Sequence, residues 1–189
     1  MNLVLSNPLG PKWTLGRHGN TSSETAAGVR AHHAAGLTAV EVAALPGQAA
    51  AMRAALKTAF DMDLGQGSPA ESKENAVCTG PGQYLLTGYD VQTVKAAIGD
   101  LGLAVDQSSG RVKVSIDGPS TAGLLAKACP LNLATWPLGA AHASHFLHIA
   151  CCYYRRSEDG FDLYFGRSFA QSAAEWLLDA GAEFGVEIV

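Results

Sequence analysis

RVKVSIDGPSTAGLLAKA, residues 111–128, carries the pattern from which the architecture is read, because an earlier segment follows the same plan. It reads as a strand, a Gly-Pro turn and a helix, with Pro119 suited to the first helical turn. VEVAALPGQAAAMRAAL, starting at Val40, can be laid over VKVSIDGPSTAGLLAKA, starting at Val112. QYLLTG, ending at Gly88, then falls on FDLYFG, ending at Gly166, and each of these glycines is followed by a helix. Each half therefore reads β-α-β-β-α with room for a closing strand. That is the split βαβ, ferredoxin-like pattern used twice, an α+β fold of two tandem halves. Two helices cover one face of each small sheet, so the other face needs a second half or a partner to cover it.

Working outward, residues 1–27 form an irregular arm, rich in Gly, Pro, Ser, Thr and Asn, that is expected to lie on a surface. Residues 28–105 form the first half and 106–189 the second, in one compact unit. GVRAHH and LTAVEVAAL look like a hairpin or two successive strands. Met52, Leu56 and Phe60 form the buried stripe of a helix, and residues 63–75 a polar loop. AVCTG and QYLLTG flank a Pro-Gly turn, and Asp90 starts a helix that faces Val91, Val94, Ile98 and Leu101 inward. HFLHIACCYYRR and DGFDLYFG pair as strands across an acidic turn. Ser168 is predicted to cap the last helix in a capping box with Gln171. The buried stripe of that helix holds Phe169, Ala173, Trp176, Leu177 and Phe184.

Composition narrows the function. The chain has 189 residues, 48% hydrophobic and 16% charged, with a net charge of −4. That excludes a disordered chain and argues against nucleic-acid or anionic-membrane partners. So low a charged fraction suggests surface hidden against a partner, with alanine richness as the plain alternative. The first residues lack a signal peptide's basic start and long apolar run, which gives a cytoplasmic expectation. Cys78, Cys129, Cys151 and Cys152 are then reduced thiols without a CxxC pair.

The densest run of reactive side chains is AHASHFLHIACCYYRR, residues 141–156. If residues 143–155 form one strand, His142 and His148 share a side and His145 takes the other, so the three do not converge. On a helix they would fall roughly on one side, which keeps them as metal candidates, but zinc would need a fourth ligand from elsewhere. Arg167 and Ser168, at a strand end and helix start, are candidates for an anion or cofactor contact, set against a plain cap with a surface Arg. Arg155 and Arg156 are expected to flank a turn opposite Glu158 and Asp159. Trp136, in NLATWPLG, is the interface candidate. No phosphate loop, dinucleotide fingerprint or nucleophile elbow occurs, and no catalytic residue is assigned.

RVKVSIDGPSTAGLLAKACPLNL resembles the central signature of the gamma subunit of heterotetrameric sarcosine oxidase. Gly118, Pro119, Leu125, Ala126, Lys127, Cys129, Pro130, Leu131 and Leu133 match that pattern. GRSFA (166–170) and GPGQYLLTG (80–88) resemble two further segments of the family, in the same order. The resemblance implies a non-catalytic chain that assembles with alpha, beta and delta subunits. Such a complex oxidises the N-methyl group of sarcosine or a related N-methyl amino acid. It uses FAD, FMN, NAD and tetrahydrofolate, with the flavin and folate chemistry on the larger chains and none of these bound by this chain alone. The fold it implies is similar to glycine-cleavage aminomethyltransferase. The alternative is a stand-alone, aminomethyltransferase-like domain that binds folate or another anion.

Overall fold

The computed structural model describes residues 7–20, 26–33, 35–61, 64 and 76–189. The predicted polar loop at 63–75 lies, apart from Leu64, outside the described residues. Among the described residues fifteen strands and α-helices form the frame, beginning with β1 (Gly16–His18), β2 (Val29–His33), β3 (Ala39–Ala44) and α1 (Ala49–Phe60). Then come β4 (Ala76–Gly80), β5 (Gln83–Thr87), α2 (Val91–Ile98), β6 (Gly102–Asp106), β7 (Arg111–Asp117) and α3 (Thr121–Ala126). The last are β8 (Ala141–Phe146), β9 (Ile149–Arg155), β10 (Gly160–Gly166), α4 (Ala170–Gly181) and β11 (Val186–Ile188). Among the described residues no helix is long and apolar enough to cross a membrane.

The strands form two sheets, ordered β4-β5-β3-β6 and β1-β11-β2-β7-β10-β9-β8. Side-chain alternation then sorts residues by face. In the four-stranded sheet Val40, Val42, Tyr84 and Leu86 meet Met52, Leu56, Val94 and Ile98 of α1 and α2. In the seven-stranded sheet Val112, Val114, Ile116, Phe161, Leu163 and Phe165 meet α3 and α4. The opposite faces meet each other through Ala39, Val77 and Leu85 on one side and Ala141, Cys152, Tyr154 and Tyr164 on the other. The layers are therefore helix, sheet, sheet, helix, a mixed α+β architecture with each helix pair outermost. Each fully buried Leu or Phe in these layers contributes about 1.5–3 kcal/mol. Coverage is incomplete at β6, where Leu103 and Val105 stay 62% and 53% exposed.

Several local expectations are met. Asp90 caps α2 by accepting from the backbone N–H groups of Gln92 and Thr93. Met52 and Leu56 are fully buried and Phe60 packs at the edge of that core. Gly118 lies at φ +127°, and a Cβ there would come within 2.5 Å of the Gly28 carbonyl oxygen. The turn in the 111–128 segment thus needs glycine for both conformation and space.

Other expectations are corrected. β2 and β3 are successive strands but no hairpin, since they join different sheets: β2 lies between β7 and β11, and β3 between β5 and β6. Residues 143–155 are not one strand, because β8 and β9 form a hairpin that turns at Leu147 and His148. Leu147 adopts φ 55°, rare for a branched side chain, and its N–H donates to Ala128 O at 2.8 Å. Pro119 precedes the helical residues, since α3 begins at Thr121 behind Ser120. The predicted capping box does not form: α4 starts at Ala170 without a side-chain cap, and Gln171 Nε2 donates to Glu175 Oε1 at 3.1 Å instead. Phe169 is half-exposed because a single 3-10 turn, Arg167–Phe169, swings it away from the stripe that Ala173 and Leu177 bury. The arm's described part lies along α4, with Leu9 and Trp13 in the core and Lys12 Nζ 3.6 Å from Glu175 Oε2.

Candidate functional site

The three histidines of the reactive run are held apart by the hairpin. His142 is half-buried on β8, where its ring stacks on Trp136 at 5.8 Å between centroids and 19° between planes. Its Nδ1 donates to Ala143 O at 2.6 Å. His145 is exposed and lends only its carbonyl, which accepts from the Tyr153 hydroxyl at 2.9 Å. His148 is exposed in the turn. Among the described residues no three His, Cys, Asp or Glu side chains gather as a metal site.

Trp136 is half-buried and belongs to the chain's own packing, edge-on to Tyr153 at 6.4 Å. Arg155 fastens this loop. Its guanidinium donates to Trp136 O and to Glu158 O, and its backbone exchanges bonds with the loop end at Gly139 and Ala140. Arg155 therefore does not simply oppose the Glu158 carboxylate at a turn. The large apolar side chain that this loop presents to solvent is Leu138, 65% exposed.

Arg167 follows β10, half-buried, while Ser168 is exposed. The Arg167 N–H donates to Gly110 O at 2.9 Å, which ties the end of β10 to the turn before β7. Arg167 lines a cavity of about 610 Å³ with His33, Arg111, Ser108, Ser109 and Leu37. Arg111 Nη2 bridges to Glu41 Oε2 of β3 at 3.1 Å, across the two sheets. The His33 imidazole is held below its usual pKa, first by burial and then by the positive neighbour Arg167 and by His32. A second cavity of about 610 Å³ lies at the seam of β4 and β8, lined by Arg53, Cys78, Thr79 and His142 among others.

Sequence reasoning missed a buried charge network. Asp162 is fully buried in β10 and accepts from Ser115 Oγ at 2.6 Å. Lys113 Nζ lies 2.7 Å from its other oxygen, and Arg156 Nε 3.3 Å from the first. Arg156 also grips both Asp117 oxygens at 2.9 Å. Polar residues alternating with the valines of VKVSID were the available signal, but naming the partners needed the β7–β10 register. Cys151 and Cys152 point to opposite faces of β9, one in the helix-side core and one between the sheets. Burial pushes the Cys152 thiol up to about 11, against a smaller pull from Arg111. Burial likewise raises Cys151, so both are packed, protonated groups.

Among the described residues the histidine ring bonds go to backbone carbonyls, at Thr14 and Ala143, and none pairs a nucleophile with a base. The geometry is that of a packed domain with open clefts and an apolar edge.

Comparison with known proteins agrees with that geometry. Residues 41–183 match the model of the sarcosine oxidase, gamma subunit family. The chain is 30% identical over 169 residues to a sarcosine oxidase subunit gamma from Arthrobacter sp., covering 85% of this chain and 83% of that one. A subunit gamma from Corynebacterium sp. strain P-1 is 28% identical, over 87% and 86% of the two chains. In fold, the chain is similar to a chain of the heterotetrameric sarcosine oxidase from Corynebacterium sp. U-96. The TM-score is 0.69 and the identity 24%, with 82% of this chain and 85% of that one covered. It is also similar to glycine cleavage system aminomethyltransferase T from Bartonella henselae, with a TM-score of 0.60 and 18% identity over 86% and 48% of the chains. The motifs of the 111–128 segment, the co-linear match over most of the chain and the shared α+β fold lead to one assignment: this chain belongs to the sarcosine oxidase gamma subunit family.

Proposed function

We propose that this chain is the non-catalytic gamma subunit of a sarcosine oxidase-type flavoprotein complex, in which it completes and stabilises the assembly. The single observation that carries this reading is the family match along most of the chain. Its partners are alpha, beta and delta chains, and the reaction is oxidative demethylation of sarcosine or a related N-methyl amino acid. FAD, FMN, NAD and tetrahydrofolate belong to those partners' chemistry. The architecture is read as two ferredoxin-like halves, 28–105 and 106–189, after the arm at 1–27. The order β4-β5-β3-β6 supports this, as does β9-β10-β7-β11 once β2 is taken as a strand lent by the first half and inserted between β7 and β11.

The contact surface is read from exposed apolar side chains. Leu103 and Val105 share one face of the edge strand β6, and Leu138 projects from the loop that holds Trp136. Trp136 supports that loop from within, so Trp136→Ala would change folding and assembly together. Leu103→Asp with Val105→Asp, and separately Leu138→Asp, touch surface alone. Placing a charge in a desolvated contact lowers affinity by about tenfold or more. Co-elution with the partner chains is the measurement. Unchanged co-elution of both variants, each still folded by circular dichroism, contradicts the assignment of these surfaces.

A further inference from the structure

Three strand ends carrying basic side chains meet at one end of the seven-stranded sheet. His33 closes β2, Arg111 opens β7, and Arg167 follows β10, with Gly166 opposite Arg111 in the ladder. All three line the same cavity of about 610 Å³, and Pro8, Leu37 and Ser109 contribute to its wall. Among the described residues no carboxylate lines it. The charges there do not cancel. Arg111 is matched by Glu41 at 3.1 Å. Arg167 makes no side-chain hydrogen bond or ion pair with any described residue, and its charge is felt by the neighbouring His33 ring. Because that ring is held below its ordinary pKa, it adds no second cation near neutral pH. One guanidinium is left over, half-buried, at the wall of a cavity of a size that holds small organic molecules.

We propose that this cavity is a binding site for a small organic carboxylate, held by the Arg167 guanidinium as a two-pronged donor. The planar fork of Arg matches the two oxygens of a carboxylate, and one unmatched positive charge suits a monoanion. Leu37 and Pro8 offer apolar wall to the body of the ligand, and Ser109 lines the same space. The inference stands apart from the subunit reading, since it holds whether the chain works alone or in a complex.

The test uses the full chain and two probes, acetate and benzoate, with inorganic phosphate for comparison and chloride to match ionic strength. Phenylglyoxal modification of arginines is followed by mass spectrometry, with Arg53 of the other cavity as the internal control. Benzoate is expected to slow modification of Arg167 saturably while Arg53 reacts as before. By calorimetry, Arg167→Gln should weaken benzoate binding by about tenfold or more, the worth of a charge-assisted hydrogen bond, while Arg53→Gln leaves it unchanged. Equal modification of Arg167 with and without both carboxylates overturns the site, and so does wild-type affinity in Arg167→Gln. Stronger protection by phosphate than by either carboxylate overturns the ligand class. The footprint is read on the wild-type chain, so it stands even if a variant fails to fold.

Discussion

Asp162 lies mid-strand in β10 without solvent contact, and its charge is tolerated only because Ser115, Lys113 and Arg156 surround it. Breaking such a group is costly, since Lys113 is left charged and unmatched while Arg156 keeps only Asp117. Asp162→Ala should therefore destabilise the chain by about 1–3 kcal/mol, read from the denaturant midpoint. A shift under about 1 kcal/mol would mean that Lys113 and Arg156 reach water on their own. The thiol of Cys152 makes a second prediction at this scale. Its folded pKa is raised to about 11, mainly by burial. The unfolded chain then ionises first as pH rises, so stability is complete below the ordinary thiol range and falls between that range and about 11. The slope is on the order of tenfold in the folding equilibrium per pH unit. Cys152→Ala should flatten part of that slope, and Cys151, raised in the same direction, should account for more. A slope left as steep in Cys152→Ala would assign it to other groups.

At the scale of elements, the β7–turn–α3 unit rests on Gly118. Ala there would meet strain at φ +127° and a contact of 2.5 Å with the Gly28 carbonyl, which is backbone and cannot swing aside. Gly118→Ala should cost about 1–3 kcal/mol and loosen α3 from β2, seen as faster amide exchange at Ser120, whose N–H donates to Gly28 O. Unchanged exchange at Ser120 would contradict the close-packing account. Much of this level was legible in the sequence. Strand alternation, the Gly-Pro turns and the helical stripes are local patterns that the sequence displays directly. What stayed hidden was non-local. The β8–β9 turn carries Leu147 and His148 instead of Gly or Asn, and its positive φ accompanies a bond to Ala128, distant along the chain. Whether β2 pairs with β3 or enters the other sheet depends on competition for sheet edges, which no short stretch records. The start of α4 looked like a capping box because Ser168 and Gln171 have the right spacing, yet a 3-10 turn and the Glu175 carboxylate claim those residues.

At the scale of the molecule, the chain covers most of its sheet faces and leaves one edge open. Each sheet buries one face under its helix pair, and the remaining faces meet through a smaller core between the sheets. That core ends before β6, so Leu103 and Val105 are exposed on a strand at the edge of the described sheet. Proteins that work alone blunt such edges with charge or cover them, and this edge has apolar side chains instead. The candidate site was only partly legible. Arg167 could be singled out because it stands between a strand and a helix, but Arg111 and His33 join it only through the order of β2, β7 and β10. The histidine run, conspicuous in sequence, is divided by a turn, and of its three rings His142 is the one stacked on Trp136.

The most direct test of the subunit account is affinity purification of this chain from its source cells, reading protein bands and the visible spectrum together. The account predicts larger chains in fixed proportion and flavin absorbance that follows them through the final column. A single colourless band, recovered under conditions that keep multi-subunit enzymes intact, would contradict it.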